Sequence, residues 1–280
     1  MKARRLLVGL CLAPLLAGCG SSSGKSGITI PKPKVFRVAG FTPAAAVQPG
    51  KPFTVSFTIQ QPSGATLTKY KRGSGPHTGV HLIFVRRDLG TLVHLHPPLG
   101  ADGKIHESVT LPTPGPYELL IDTYADIPGQ PYSNFQLREP ITVAGAYKAQ
   151  PLPAFKPVQV VDGYTFTMTS SPRIKSLSAA YLVIHVTGPD GQPVRFTPWF
   201  GALAHAIFFR PGSLDYFHTH ICSPNAPNCA GRPGAPTTRT AQPGLIKAIA
   251  ILPEAGVWEV FVQCKVNGRV LTAPYTLHAS

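Results

Sequence analysis

Acidic side chains are scarce in this 280-residue sequence, which holds 12 Asp and Glu against 26 Lys and Arg. They are thinly spread, and no pair stands out as acid and base for glycoside chemistry. Asp122 and Asp126, which lie close together, read as turn and solvent residues. Other catalytic signatures are missing too: there is no Gly-x-Ser-x-Gly elbow, no His-Glu-x-x-His, no phosphate loop after a strand and no dinucleotide fingerprint. Residues 20–26, Gly-Ser-Ser-Ser-Gly-Lys-Ser, imitate a phosphate loop but are one residue short and follow no strand. Amphipathic helical periodicity is absent after residue 30, and 31 Pro and 27 Gly interrupt the chain every few residues. An all-helical bundle is excluded, and the chain reads as a non-enzyme. Methionine is almost absent beyond the N-terminus, where Met168 stands alone, so a thioether store for Cu(I) is excluded. A blue-copper site is disfavoured, because Cys264 is followed by Lys265-Val266-Asn267-Gly268 with no nearby His.

What is present begins with an export pattern. Lys2, Arg4 and Arg5 precede an apolar run over residues 6–17, and Gly18-Cys19 follows. The run is shorter than the about 20 residues a bilayer-spanning helix needs. Leu16-Ala17-Gly18-Cys19 resembles the lipobox of bacterial lipoproteins. That resemblance implies a signal peptide over 1–18, lipidation of Cys19, and residence on the extracytoplasmic face of the cell membrane. Ser21-Ser22-Ser23-Gly24 reads as part of a flexible tether over 19–30. The exported part stays strongly basic, which suits an anionic cell surface or a protein partner. An exported protein does not meet nucleic acid.

The rest of the chain is an internal repeat. His81, His94 and His96 recur as His205, His218 and His220, with an offset of 124 in each case. Gly103-x8-Pro112-x2-Gly115 recurs as Gly244-x8-Pro253-x2-Gly256, Tyr117-Glu118 as Trp258-Glu259, and Pro62-Ser63-Gly64 as Pro189-Asp190-Gly191. Period-two apolar patterns such as Phe53, Val55, Phe57 and Ile59 mark half-buried strands. The expected fold is therefore all-β: two tandem antiparallel β-sandwich domains, immunoglobulin-like or cupredoxin-like, over 31–145 and 158–280, with a Pro-rich linker over 146–157.

The histidines carry the chemistry. If Gly212-Ser213 forms a two-residue hairpin turn, paired positions sum to 425, placing His205 across from His220 with His218 on the same face. The equivalent sum of 177 pairs His81 with His96, unless the turn Arg87-Asp88-Leu89-Gly90 closes differently and throws the faces out of phase. Three converging imidazoles per repeat make a chelating patch, and by the ordinary affinity order copper is the first candidate ion and zinc the second. The alternative is a structural or interaction module on the cell surface whose histidines only pack. His185, in an apolar strand, reads as a core histidine; His77 and His106 could add ligands in the first repeat but read as surface residues, and His278 is assigned nothing. Cys222 and Cys229 flank a six-residue turn-rich loop and are expected to form a disulfide, with Cys264 a buried thiol. The sharper possibility is that Cys222 is a fourth ligand beside His220.

Val85-Arg86-Arg87-Asp88-Leu89, His94-Leu95-His96-Pro97 and Leu111-Pro112-x2-Gly115-x-Tyr117 together resemble motifs of secreted bacterial proteins associated with metal-handling modules. The resemblance covers most of the first repeat and, more weakly, the second. It implies a β-sandwich with a copper or other heavy-metal role and no activity. The second repeat departs at Pro211-Gly212-Ser213 and at Ile221.

Overall fold

The computed structural model describes residues 35–71, 79–128, 134–222 and 242–280, so the signal segment, Cys19 and the tether lie outside the described residues. Seven described strands precede the Pro-rich segment: β1 (Arg37–Thr42), β2 (Pro52–Gln60), β3 (Val80–Arg86), β4 (Leu92–Leu95), β5 (Ile105–Thr110), β6 (Gly115–Tyr124) and β7 (Asn134–Val143). Nine follow it: β8 (Val158–Val161), β9 (Tyr164–Met168), β10 (Arg173–Ile174), β11 (Ala180–Thr187), β12 (Ala204–Phe209), β13 (Tyr216–Ile221), β14 (Leu245–Ala250), β15 (Gly256–Val266) and β16 (Arg269–Ala279). The protein is all-β. In the first repeat the sheets are β1-β2-β5 and β4-β3-β6-β7; in the second they are β14-β11-β9-β8 and β10-β16-β15-β12-β13. Pairing is antiparallel apart from β10 on β16 and an isolated bridge at Val47 and Val143.

Alternation explains the outer sheets. Along β2, Val55, Phe57 and Ile59 are buried while the residues between them are partly or fully exposed, so one face packs inward with Leu82, Phe84, Leu119 and Ile121. The second repeat builds its own core from Phe166, Ile184, Phe208, Trp258, Val260 and Leu277. The equivalent glycines confirm that the local folds match. Gly103 and Gly244 have φ of +76° and +69°, and Gly115 and Gly256 both have +128°. A β-carbon at Gly103 would lie on the Leu67 carbonyl, and one at Gly244 on the Val186 carbonyl.

Two strands break the alternation. Every residue of β12 is buried, and so is all of β3 except Arg86. Their second faces meet each other's sheets in a third core of Ile83, Val85, Leu89, Leu92, Leu120, Ile207, Phe209, Leu214 and Phe261. This core is built from both repeats, and residues 35–280 form one compact unit. Burying each of its large side chains stabilises the joined form by on the order of 2 kcal/mol. Leu89 and Leu214 reach it from hairpin loops in which each adopts a left-handed backbone, at φ of +62° and +56°. Polar bonds frame it: Arg138 donates to the carbonyls of Ser213 and Leu214 at 2.8 and 3.0 Å, and Tyr216 donates to Asp122 at 3.4 Å.

The hairpin registers follow the expected sums, although the turns differ from expectation. Phe209 faces Tyr216 and His205 faces His220, but six residues rather than Gly212-Ser213 alone connect the strands, closed by Arg210 N donating to Asp215 O at 2.9 Å. In the first repeat Ile83 faces His94 and Leu82 faces Leu95, and again six residues lie between the last paired positions, Val85 and Leu92, with Arg86 N donating to Thr91 O. The shared loop length keeps both sets of histidines in phase.

Candidate metal centre

His81 and His205 occupy matching places on β3 and β12, on the face that carries Ile83 and Val85 in one case and Ile207 and Phe209 in the other. They therefore point out of their own sandwiches and into the junction. The expectation of one patch per repeat gives way to a single cluster of six rings drawn from both repeats. His81 lies 5.3 and 5.9 Å, centroid to centroid, from His218 and His220 of the other repeat, and His94 lies 5.1 Å from both His205 and His218. Within repeats, His81 stacks on His96 at 4.0 Å and His218 meets His220 at 4.3 Å. His81, His94, His205 and His220 are buried, and His96 and His218 are half-buried.

Three groups of three bring ligand nitrogens within 4.8 Å of one another: His81, His94 and His96; His94, His205 and His218; and His81, His218 and His220. Two of the three combine both repeats. Any two groups share one histidine, so His81, His94 and His218 each belong to two. Direct nitrogen contacts are short, with His94 Nε2 to His96 Nε2 and His205 Nδ1 to His218 Nε2 both at 3.1 Å.

The tautomer of His205 follows from its surroundings. Its Nε2 lies 3.1 Å from the Trp199 carbonyl oxygen, which can only accept, so Nε2 carries the proton and Nδ1 turns its lone pair into the cluster. The Trp199 carbonyl is held by a tight turn: Trp199 and Ala202 exchange both backbone bonds, with Phe200 and Gly201 at φ of +49° and +77°. Phe200 stacks on His96 at 3.9 Å and 6°, and Trp199 meets His94 and His205 edge-on. These two aromatics cap one side of the cluster, and sequence reasoning missed them; the one signal available was an aromatic pair before Gly201.

The environment resists positive protons. Burial, reinforced by neighbouring rings, holds His94 and His218 well below the usual imidazole range, and burial brings His205 down to about 4. His94, His205 and His218 are thus neutral bases at neutral pH, the form that binds metal. Across from His81 on β6 stands Asp122, and across from His205 on β15 stands Gln263. Asp122 is buried in a strand rather than in a solvent turn, because β6 runs on to Tyr124. Burial raises its carboxyl to about 6, and it accepts from Asn134 Nδ2 at 2.9 Å. Asp126 is exposed, as expected.

The remaining residues fall outside the site. His106, His185 and His278 are exposed, so His185 is not the core histidine its apolar strand suggested; its side chain sits on the outer face of β11. His77 and Cys229 lie outside the described residues. Cys222 is buried and disulfide-bonded, which removes it as a thiolate ligand beside His220. Cys264 is free and buried, its thiol pushed up to about 12 by burial.

Among solved structures the chain is similar to a bacterial integrin-binding invasin, at 16% identity and a TM-score of 0.24 over 88% of this chain and 39% of that one. It is similar to domains 4–9 of the surface-layer protein SbsC at 12% and 0.24, over 88% and 31%. A chimeric titin Z1Z2 gives 15% and 0.21, over 88% and 97%. The chain thus spans well under half of the first two. No curated protein gives a significant match. Residues 159–280, the second repeat from within β8 onward, match the family model described as Domain of unknown function (DUF8832).

Proposed function

We propose that this protein binds a transition-metal ion, copper first and zinc second, in a single centre shared by its two repeats. The observation that carries the reading is the convergence of six imidazoles, four of them buried, with ligand nitrogens of both repeats within 4.8 Å. Packing alone is a weak reason for such a cluster, since buried rings close to one another must be kept neutral at a cost in stability. An ion accepts their lone pairs together. Because any two triads share a histidine, the cluster holds one ion per chain. The lipobox resemblance and the export pattern support a lipid anchor on Cys19 and residence on the extracytoplasmic face of the cell membrane. The basic surface suits an anionic cell-surface or protein partner there, and the six rings give no reason to assign catalysis.

The test is a calorimetric titration of the full chain, purified without a histidine tag, with copper and with zinc. One ion per chain is expected; His94→Ala and His218→Ala each leave one triad complete and should weaken binding without removing it, whereas the double substitution, which breaks all three triads, abolishes it. Separate losses, one ion per substitution, would restore a two-site arrangement. Binding no tighter than about the millimolar range, near 4 kcal/mol, would leave the histidines as packing groups of a surface interaction module.

A further inference from the structure

We infer that the centre selects monovalent over divalent ions, so that the copper it holds is the reduced, cuprous form. This rests on the metal-binding reading above and specifies the ion.

The ligand set is uncharged throughout. All three candidate triads are made of histidines alone, with no carboxylate and no thiolate among them. Cys222, two residues beyond His220 on the chain, is in a disulfide. On the neighbouring strands, the position across from His205 is the amide Gln263, whose Nε2 donates to Thr272 at 2.9 Å. The position across from His81 is an acid, Asp122, but its two oxygens are engaged by Asn134 and by Tyr216.

The surroundings are apolar as well. The strands that carry the rings continue into the shared core of Ile83, Leu120, Ile207, Phe209 and Phe261, and Phe200 lies flat on His96. The cost of moving an ion from water into such a medium scales with the square of its charge, so a dication pays roughly four times the desolvation of a monovalent ion of equal size. With no anion among the ligands, the coordinating groups themselves do not return that difference.

Geometry agrees with a low-coordinate ion. Nitrogens already oppose each other in pairs at 3.1 Å. An ion seated between two of them, with bonds of about 2 Å, needs each pair to open by about 1 Å. Two or three imidazoles complete the shell of a closed-shell monovalent ion, whereas zinc takes four ligands, one more than any of the three triads offers.

The experiment compares ions on one protein. Under anaerobic conditions the untagged full chain is titrated with Cu(I) against a chromogenic Cu(I) chelator, with Ag(I) as a redox-inert monovalent probe, and with Zn(II). Cu(I) and Ag(I) are expected to bind one per chain, at least 100-fold more tightly than Zn(II). Gln263→Glu, which adds an acid beside His205, is expected to narrow that gap by tenfold or more. Zn(II) binding as tight as Ag(I), or a gap unmoved by Gln263→Glu, would overturn the selectivity while the metal centre stands. Failure of every ion to bind would overturn both.

Discussion

At the scale of single residues, Glu259 shows how burial becomes a measurable pH dependence. It is 1% exposed on β15, and Thr276 Oγ1 lies 2.9 Å from its carboxylate and 2.6 Å from the Pro153 carbonyl. Thr276 Oγ1 donates to both oxygens, a single proton shared between the carboxylate and the carbonyl, so it compensates the burial of the carboxylate only in part. Burial raises the Glu259 carboxyl from 4.5 to about 7. A raised folded-state value means stability is fully present below about pH 4.5 and is lost as pH rises through 7, by up to about 3 kcal/mol. Glu259→Gln should therefore melt at a higher temperature than the native chain at pH 8, with the two converging below pH 5 in a series of thermal melts. Its counterpart Glu118 pairs instead with Arg87, on the turn of its own repeat, at 2.6 Å.

At the scale of elements, the turns and the doubly buried strands decide the outcome. Gly103→Ala and Gly244→Ala each force a side chain onto a backbone carbonyl at positive φ. Each should cost on the order of 1–3 kcal/mol, read from denaturant midpoints. Phe209→Ala removes a side chain with 0% exposure from the shared core. It should cost about 3–5 kcal/mol and weaken metal binding by loosening the junction. Here the sequence was informative and also limited. A turn centred on Gly212-Ser213 sets the antiparallel sum at 425, which was enough to predict that His205 faces His220, and the observed register agrees. The turn type was misread because Gly212-Ser213 suits a two-residue loop, whereas Leu214 swings inward to plug the junction. The joining of the two histidine sets was not legible. Ile83, Val85, Ile207 and Phe209 look like ordinary strand residues, and the continuous apolar runs of β3 and β12 do not say which neighbour covers the second face. Asp122 was misplaced for a related reason: a short stretch rich in acids reads as a loop until the strand on either side is seen.

At the scale of the whole molecule, the centre couples repeat docking to protons and metal. His94, His205 and His218 have folded-state values below the usual 6.5. A lowered value in a basic group places its stability above the unfolded pKa, and that stability is lost as pH falls, through about 4 for His205. The metal-free protein should therefore lose stability between about pH 6.5 and 4, followed by circular dichroism. A bound ion should raise the melting temperature at neutral pH, and direct proton competition should release it only as pH falls through about 4. The opposite sign of Glu259, over an overlapping window from about pH 4.5 to 7, offsets part of the stability the histidines gain as pH rises, and Glu259→Gln should remove that offset.

The central claim is that one ion sits between the repeats and is held by both. The most direct measurement is the anomalous scattering of a crystal grown from protein loaded anaerobically with copper. The account predicts a single peak per chain among His81, His94 and His218, within about 2.1 Å of at least one imidazole nitrogen from each repeat. Two peaks, each confined to the histidines of one repeat, or a peak away from all six rings, would contradict it.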